Sequence, residues 1–182
     1  MSPIPVIDEH GRPEPLPNAN ERDTLVGFLE YQRSTLRWRV SGLTSEQLAV
    51  TTAASTMTLG GLMKHLAYVE DYWFSRMFCD RDPAEPWRSV NWDDDRDWDW
   101  NSARFDSPED LLDLWARSVE ASQHNIADAL GAGDLGILAK RRFPDGGTVS
   151  LRWILCHMIE EYARHNGHAD LLREVIDGVV GE

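Results

Sequence analysis

The sequence predicts an all-α fold, a four-helix bundle with a long Trp- and Asp-rich loop between the second and third long helices. Three observations predict it. Apolar residues recur at three- and four-residue spacing over four long stretches, the period of a helix with one buried face. The stretches begin and end on capping residues such as Asn20, Ser107 and Gly178. The 182 residues suffice for one full hydrophobic core and leave no obvious second domain or internal repeat.

Residues 1–18 carry five of the nine prolines, Pro3, Pro5, Pro13, Pro15 and Pro17, so an extended arm is expected there and the bundle over 19–182. His10 in that arm reads as a solvated loop histidine. The first helix starts at Asn20 with Asp23 three residues on, and Leu25, Phe28, Leu29, Leu36 and Val40 form its stripe. Thr44 and Gln47 then form a capping box for a short helix through Val50. The second long helix spans about Thr58–Phe78 on Leu59, Leu62, Leu66, Val69 and Trp73, with His65 on the flank of that stripe. Glu70, close by, reads as one half of an interhelix salt bridge.

Residues 80–106 hold four of the eight tryptophans, Trp87, Trp92, Trp98 and Trp100, in a strongly acidic setting. The alternation of Asp93, Asp95 and Asp97 invites a calcium loop. That loop needs Gly at its sixth position and Glu at its twelfth, which are Trp98 and Arg104 here. The acidic run is therefore read as solvated and the tryptophans as packing over the bundle end, with a lid or substrate wall as the functional alternative. The third helix has Ser107 as N-cap, Pro108 in its first turn and Asp110 at its third position. His124 among polar neighbours reads as a surface residue. Around PDGG a turn is expected, with one or two short strands as an option, and Lys140, Arg141 and Arg142 form an exposed basic patch. The fourth helix runs from about Ser150 to Asp177.

A net charge of −13 argues against a nucleic-acid backbone or an anionic membrane as partner. No apolar run approaches membrane-spanning length, and the proline-broken N-terminus does not read as a signal peptide. Two cysteines, Cys79 and Cys156, make no disulfide framework. Both are expected as packed thiols in a reducing cytoplasm.

The fourth helix holds the segment with most chemistry, CHMIEEYARHNGHAD over 156–170. Its spacing puts His157, Glu161, His165 and His168 in the same stripe as Ile154, Met158 and Leu172. Imidazoles and a carboxylate on a core-facing stripe need a partner, a hydrogen bond or a metal. Glu161 and His165 lie one turn apart, and His65 on another helix can complete three N and O donors, the catalytic zinc pattern with its fourth place open. The alternative is a buried polar cluster in which Glu161 pairs with Arg164, His157 or another helix.

LGGLMKHLAYVEDYWF (59–74) and HMIEEYARHNGHADLLRE (157–174) resemble the DinB/YfiT-like superfamily. More narrowly they resemble its mycothiol-dependent branch, which includes maleylpyruvate isomerase and the mycothiol S-transferases. The likeness covers the chain from about residue 20 onward. It implies a DinB-like bundle holding one divalent ion, zinc first and nickel second, often as a homodimer. The family's ligand places fall on His65, Glu161 and His165. Many members have histidine at the first place of the last-helix pair; this chain has Glu161 there, as the mycothiol-dependent isomerases do. His168 stands where many carry glutamine, so it is expected to support the ligands and to be the substitute ligand if Glu161 is not one.

The function expected from the resemblance is metal-dependent transfer of a low-molecular-weight, mycothiol-like thiol to a small electrophile. His168 or Glu160 are candidates for handling the proton. Cys156 as a nucleophile ranks below a buried thiol. The alternatives are a metal-dependent small-molecule hydrolase and a stress-related binding bundle without catalysis.

Overall fold

The computed structural model describes residues 4–181; residues 1–3 of the expected arm, and Glu182, lie outside the described residues. Residues 4–19 form no helix, and Ile7 and Pro13 make an isolated antiparallel bridge. Gly11, at φ 80°, turns the chain between them. Asp8 accepts from Arg12 Nε at 2.6 Å, and the Arg12 guanidinium lies over the rings of Tyr31 and Trp38. His10 is exposed but is not the solvated loop histidine expected: its ring stacks on Trp38, with centroids 3.8 Å apart.

Helix α1 (Glu21–Val40) starts where Asn20 accepts the Asp23 amide, and the chain leaves it through Gly42 at φ 72°. The capping box of Thr44 and Gln47 starts α2 (Ser45–Leu48). Helix α3 (Leu59–Glu70) continues as a π-helix over Asp71–Phe78. The spacing predicted one uniform stripe ending on Trp73. After Val69 the buried positions fall on Phe74 and Phe78, and Trp73 is only half-buried. A π turn holds an extra residue, so the stripe slips by one position and Trp73 swings out toward the last helix.

The stretch after Phe78 is more structured than the loop expected. It contains 3₁₀ turns at Trp87–Ser89 and Ser102–Phe105 and a single helical turn, α4 (Trp98–Asn101). Helix α5 (Pro108–Ala132) begins on the capping box of Ser107 and Asp110. Between α5 and α6 there are no strands among the described residues, only an isolated bridge between Leu138 and Ser150. In the basic patch, Arg141 pairs with Asp80 at 2.8 Å. Helix α6 (Leu151–Asp177) runs from Ser150 to Gly178, which caps it at φ 77°.

Pairs of side chains fix the helix directions. A Cβ on Gly60 would meet Leu111, and Asn125 donates to the Phe74 carbonyl, so α3 and α5 run parallel. Arg152 bonds Glu21 and Asn166 bonds Gln32, so α1 and α6 are parallel too. Trp73 meets Trp153 while His65 meets Glu161, which makes α3 and α6 antiparallel. The segment between two parallel helices must travel the length of the bundle, about 30 Å for 20 helical residues. That requirement explains the long connection.

All four long helices meet in one buried polar network. Arg33 of α1 pairs with Glu70 of α3, the Tyr162 hydroxyl of α6 donates to Glu70 Oε1 at 2.8 Å, and Trp115 Nε1 of α5 donates to the Tyr162 oxygen at 2.9 Å. Every member has a partner, so the network specifies how the four helices dock without a desolvation penalty left over. Glu70 is thus the interhelix salt-bridge residue that its position predicted.

Candidate metal centre

The site begins at the start of α3. Thr58 caps the helix by accepting the Gly61 amide at 3.0 Å. Gly61 lies one turn before His65 and so on the same face. A Cβ there would come within 3.0 Å of Trp100 Cε3, so only glycine lets α4 sit this close to α3. The Trp100 ring uses that space to stack on His65, with centroids 4.5 Å apart and planes 23° apart. Trp98 lies over the Lys64 ammonium at 4.4 Å, and Lys64 pairs with Asp106. Two tryptophans seated on two consecutive residues of α3 fix the register of α4.

Between them stands Asp99, 4% exposed, with its Oδ2 2.7 Å from His65 Nδ1. The other His65 nitrogen, Nε2, is 3.2 Å from Glu161 Oε1, and His165 Nε2 approaches the same oxygen at 3.5 Å. The ligand atoms of His65, Glu161 and His165 all lie within 4.8 Å of one another. His168 reaches His165 from the far side, Nδ1 to Nδ1 at 3.4 Å.

The electrostatics follow from this packing. Hydrogen bonds from His165 and His65 hold the Glu161 carboxyl far below the usual carboxylate range. Burial alone would depress the His65 pKa, but its bonds to Asp99 and Glu161 outweigh that and raise it. His168 is lowered by burial and by the neighbouring His165 and Arg164.

The three donors fit a divalent ion. Two imidazole nitrogens and a carboxylate oxygen are the ligand types zinc takes, and one carboxylate oxygen already bridges the two rings. Asp99 occupies Nδ1 of His65, which leaves Nε2 as the donor facing Glu161.

The remaining expected residues are distributed as follows. His157 is one turn from Glu161 but packs between Trp153 and Trp73, at 5.0 and 4.9 Å. Glu160 points to solvent, 55% exposed, and pairs with Arg164. Cys156 is exposed, contrary to the packed thiol expected, because it lies opposite the buried face of α6; Cys79 is half-buried. His124 is exposed, as expected.

Sequence reasoning missed Asp99 and Trp100 as parts of the centre, and the acidic run read as wholly solvated contains one buried carboxylate. The available signal was local: Asp99 is the one aspartate of that run with a tryptophan on each side.

Residues 24–178 match the Mycothiol-S-transferase family. No curated protein matches the chain. Among solved structures, the conserved protein of locus from Enterococcus faecalis aligns with a TM-score of 0.61 and 18% identity, over 89% of this chain and 100% of that one. That likeness bears on the fold alone, which is the all-α, DinB-like four-helix bundle. Among the described residues no helix is long and apolar enough to cross a membrane. The family match runs from the first helix to the cap of the last and includes the whole His65, Glu161, His165 cluster: the chain belongs to the Mycothiol-S-transferase family.

Proposed function

We propose that this protein is a metal-dependent transferase that joins a small thiol, mycothiol or a close relative, to a small electrophile. The observation that carries the reading is the convergence of His65, Glu161 and His165 on one point in a chain of this family. These residues would hold the ion, zinc in the first instance and nickel in the second. Such an ion supplies positive charge that favours the thiolate, the nucleophilic form of the cosubstrate.

The chain's own residues supply the rest. His65 is held between Asp99 and Trp100, so its donor atom is fixed before any ligand arrives. His168 stands beside His165 on the same turn and is the candidate to take up the thiol proton, a role for which Glu160 is turned the wrong way. The sulfur then bonds to the electrophilic carbon, and the electron pair displaced there leaves with the leaving group or, in an addition, collects a proton. Trp100 also lines a cavity of about 580 Å³, together with Leu48, Met57, Ser45, Ser55, Thr56 and Thr58. An indole wall and many hydroxyls suit a polyhydroxylated thiol. A reducing cytoplasm, which keeps such thiols free, is the compartment this chemistry needs.

The test combines metal content and turnover. Wild-type protein is expected to consume mycothiol with a model electrophile only when loaded with metal. His65→Ala and His165→Ala are expected to lose both the ion and the activity. Unchanged metal content in both variants would remove the site. Turnover of a substrate without thiol would point to a hydrolase instead.

A further inference from the structure

We infer that Asp99 is the positioning residue of the metal centre: its carboxylate holds the Nδ1–H of His65 and so presents Nε2 as the ligand. The inference rests on the proposed metal site and adds a role for the crossing segment, which then belongs to the centre and is more than a cover.

A buried carboxylate must be partnered to be tolerated. Asp99 is 4% exposed, and its hydrogen bond to His65 at 2.7 Å is short enough to be charge-assisted. The placement is built from both sides of the contact. Trp98 on Lys64 and Trp100 on His65 fix the register of α4, and the bare face of Gly61 gives Trp100 its seat. A slip of one residue would put a tryptophan where the carboxylate is.

The bond also decides what His65 can do. A neutral imidazole carries its proton on one nitrogen and a lone pair on the other. With Nδ1–H directed at Asp99 Oδ2, Nε2 is the nitrogen that would give its lone pair to an ion in place of its hydrogen bond to Glu161. That nitrogen faces Glu161 Oε1 at 3.2 Å, on the same side as His165. Without Asp99, nothing in this geometry favours that tautomer over the other, and the ring loses its anchor opposite Trp100. The carboxylate also makes the imidazole a stronger donor.

The experiment measures zinc affinity by competition with a chelating dye for the full-length wild-type protein, Asp99→Ala, Asp99→Asn and Asn101→Ala. Asn101 lies in the same turn and bonds Asp95, away from His65, so its variant reports on the order of the segment alone. Asp99→Ala is expected to bind zinc about 10- to 100-fold more weakly. Asp99→Asn is expected to fall in between, because its amide oxygen still accepts from Nδ1. Asn101→Ala is expected to stay close to wild type. In the zinc-loaded wild type, NMR is expected to show a slowly exchanging, downfield Nδ1–H signal for His65, lost in Asp99→Ala.

Wild-type affinity in Asp99→Ala overturns the inference. So does an equal loss in Asp99→Ala and Asn101→Ala, which would make the contact a tether only. If Asp99→Ala does not fold, Asp99→Asn decides: wild-type affinity together with loss of the Nδ1–H signal overturns it. Failure of the metal site itself shows separately, as unchanged zinc binding in His65→Ala and His165→Ala.

Discussion

Arg33 and Glu70 face each other as a bidentate pair, Nε to Oε1 at 2.8 Å and Nη2 to Oε2 at 2.7 Å, with side chains 2% and 0% exposed. Neither charge has access to water if the other is removed. Glu70→Ala is expected to cost about 3 kcal/mol, because a buried guanidinium loses its bidentate partner and keeps only Glu30, 2.6 Å from Nη1, as a counter-charge. Replacing both, as in Arg33→Met with Glu70→Leu, is expected to cost far less than the single change. Urea denaturation of the three proteins measures this. A single-variant loss no larger than that of the double would show that the pair is not what holds α1 to α3.

Tyr162 extends this pair and gives it a pH limit. Burial first, and then the nearby Glu70 carboxylate, push its phenol well above the ordinary tyrosine value. A group whose pKa is raised on folding stabilises fully below its unfolded value, about 10. That contribution is lost as pH rises through the folded value. The protein is therefore expected to lose stability on the alkaline side, with Tyr162 ionising only as the fold opens. Tyrosinate absorbance in wild type and Tyr162→Phe tests this. Tyr162→Phe should also cost about 1–3 kcal/mol at neutral pH, since Trp115 Nε1 loses its acceptor. Ionisation of all four tyrosines near the ordinary value in the folded protein would contradict the burial argument.

Two helical glycines should respond in opposite ways to alanine. Gly167 in α6 has open space where a Cβ would go, so Gly167→Ala should stabilise by about 1 kcal/mol through helix propensity. Gly61 in α3 has Thr58 Oγ1 and Trp100 Cε3 each 3.0 Å from that position. Gly61→Ala should therefore lower Tm and loosen Trp100 from His65, which tryptophan fluorescence quenching reads. A raised Tm in Gly61→Ala would mean that the close seat of Trp100 is not needed.

The helices were legible because their ends are written locally. Asn20, Thr44, Ser107 and Gly178 each act within a turn of their own position, and each caps as read. His65, Glu161 and His165 were legible for a different reason, as polar groups on otherwise apolar stripes. What lay outside a periodic stripe was not readable. The carboxylate of Asp99 meets His65 across 34 residues, and its one local mark, a tryptophan on each side, does not say which distant group it meets. The π turn after Glu70 escaped because spacing of three and four assumes the ordinary helix, and Trp73 was assigned to the core on that assumption. Cys156 was misplaced for a similar reason, since apolar neighbours in sequence say nothing about which side of α6 a small thiol faces.

The parallel pairing of α1 with α6 also governs how the chain folds as it is made. The first helix leaves the ribosome early, but Gln32 and Arg39 find their partners, Asn166 and Asp170, only when the last helix emerges. Contacts between the two ends of a chain are slow to form, and until they do the apolar face of α1 has lost its cover. The cluster around His65 is equally incomplete until residue 165 has been synthesised. Nascent chains stalled before α6 are thus open to proteolysis, and the final helix closes the fold and the His65, Glu161 and His165 cluster in the same event.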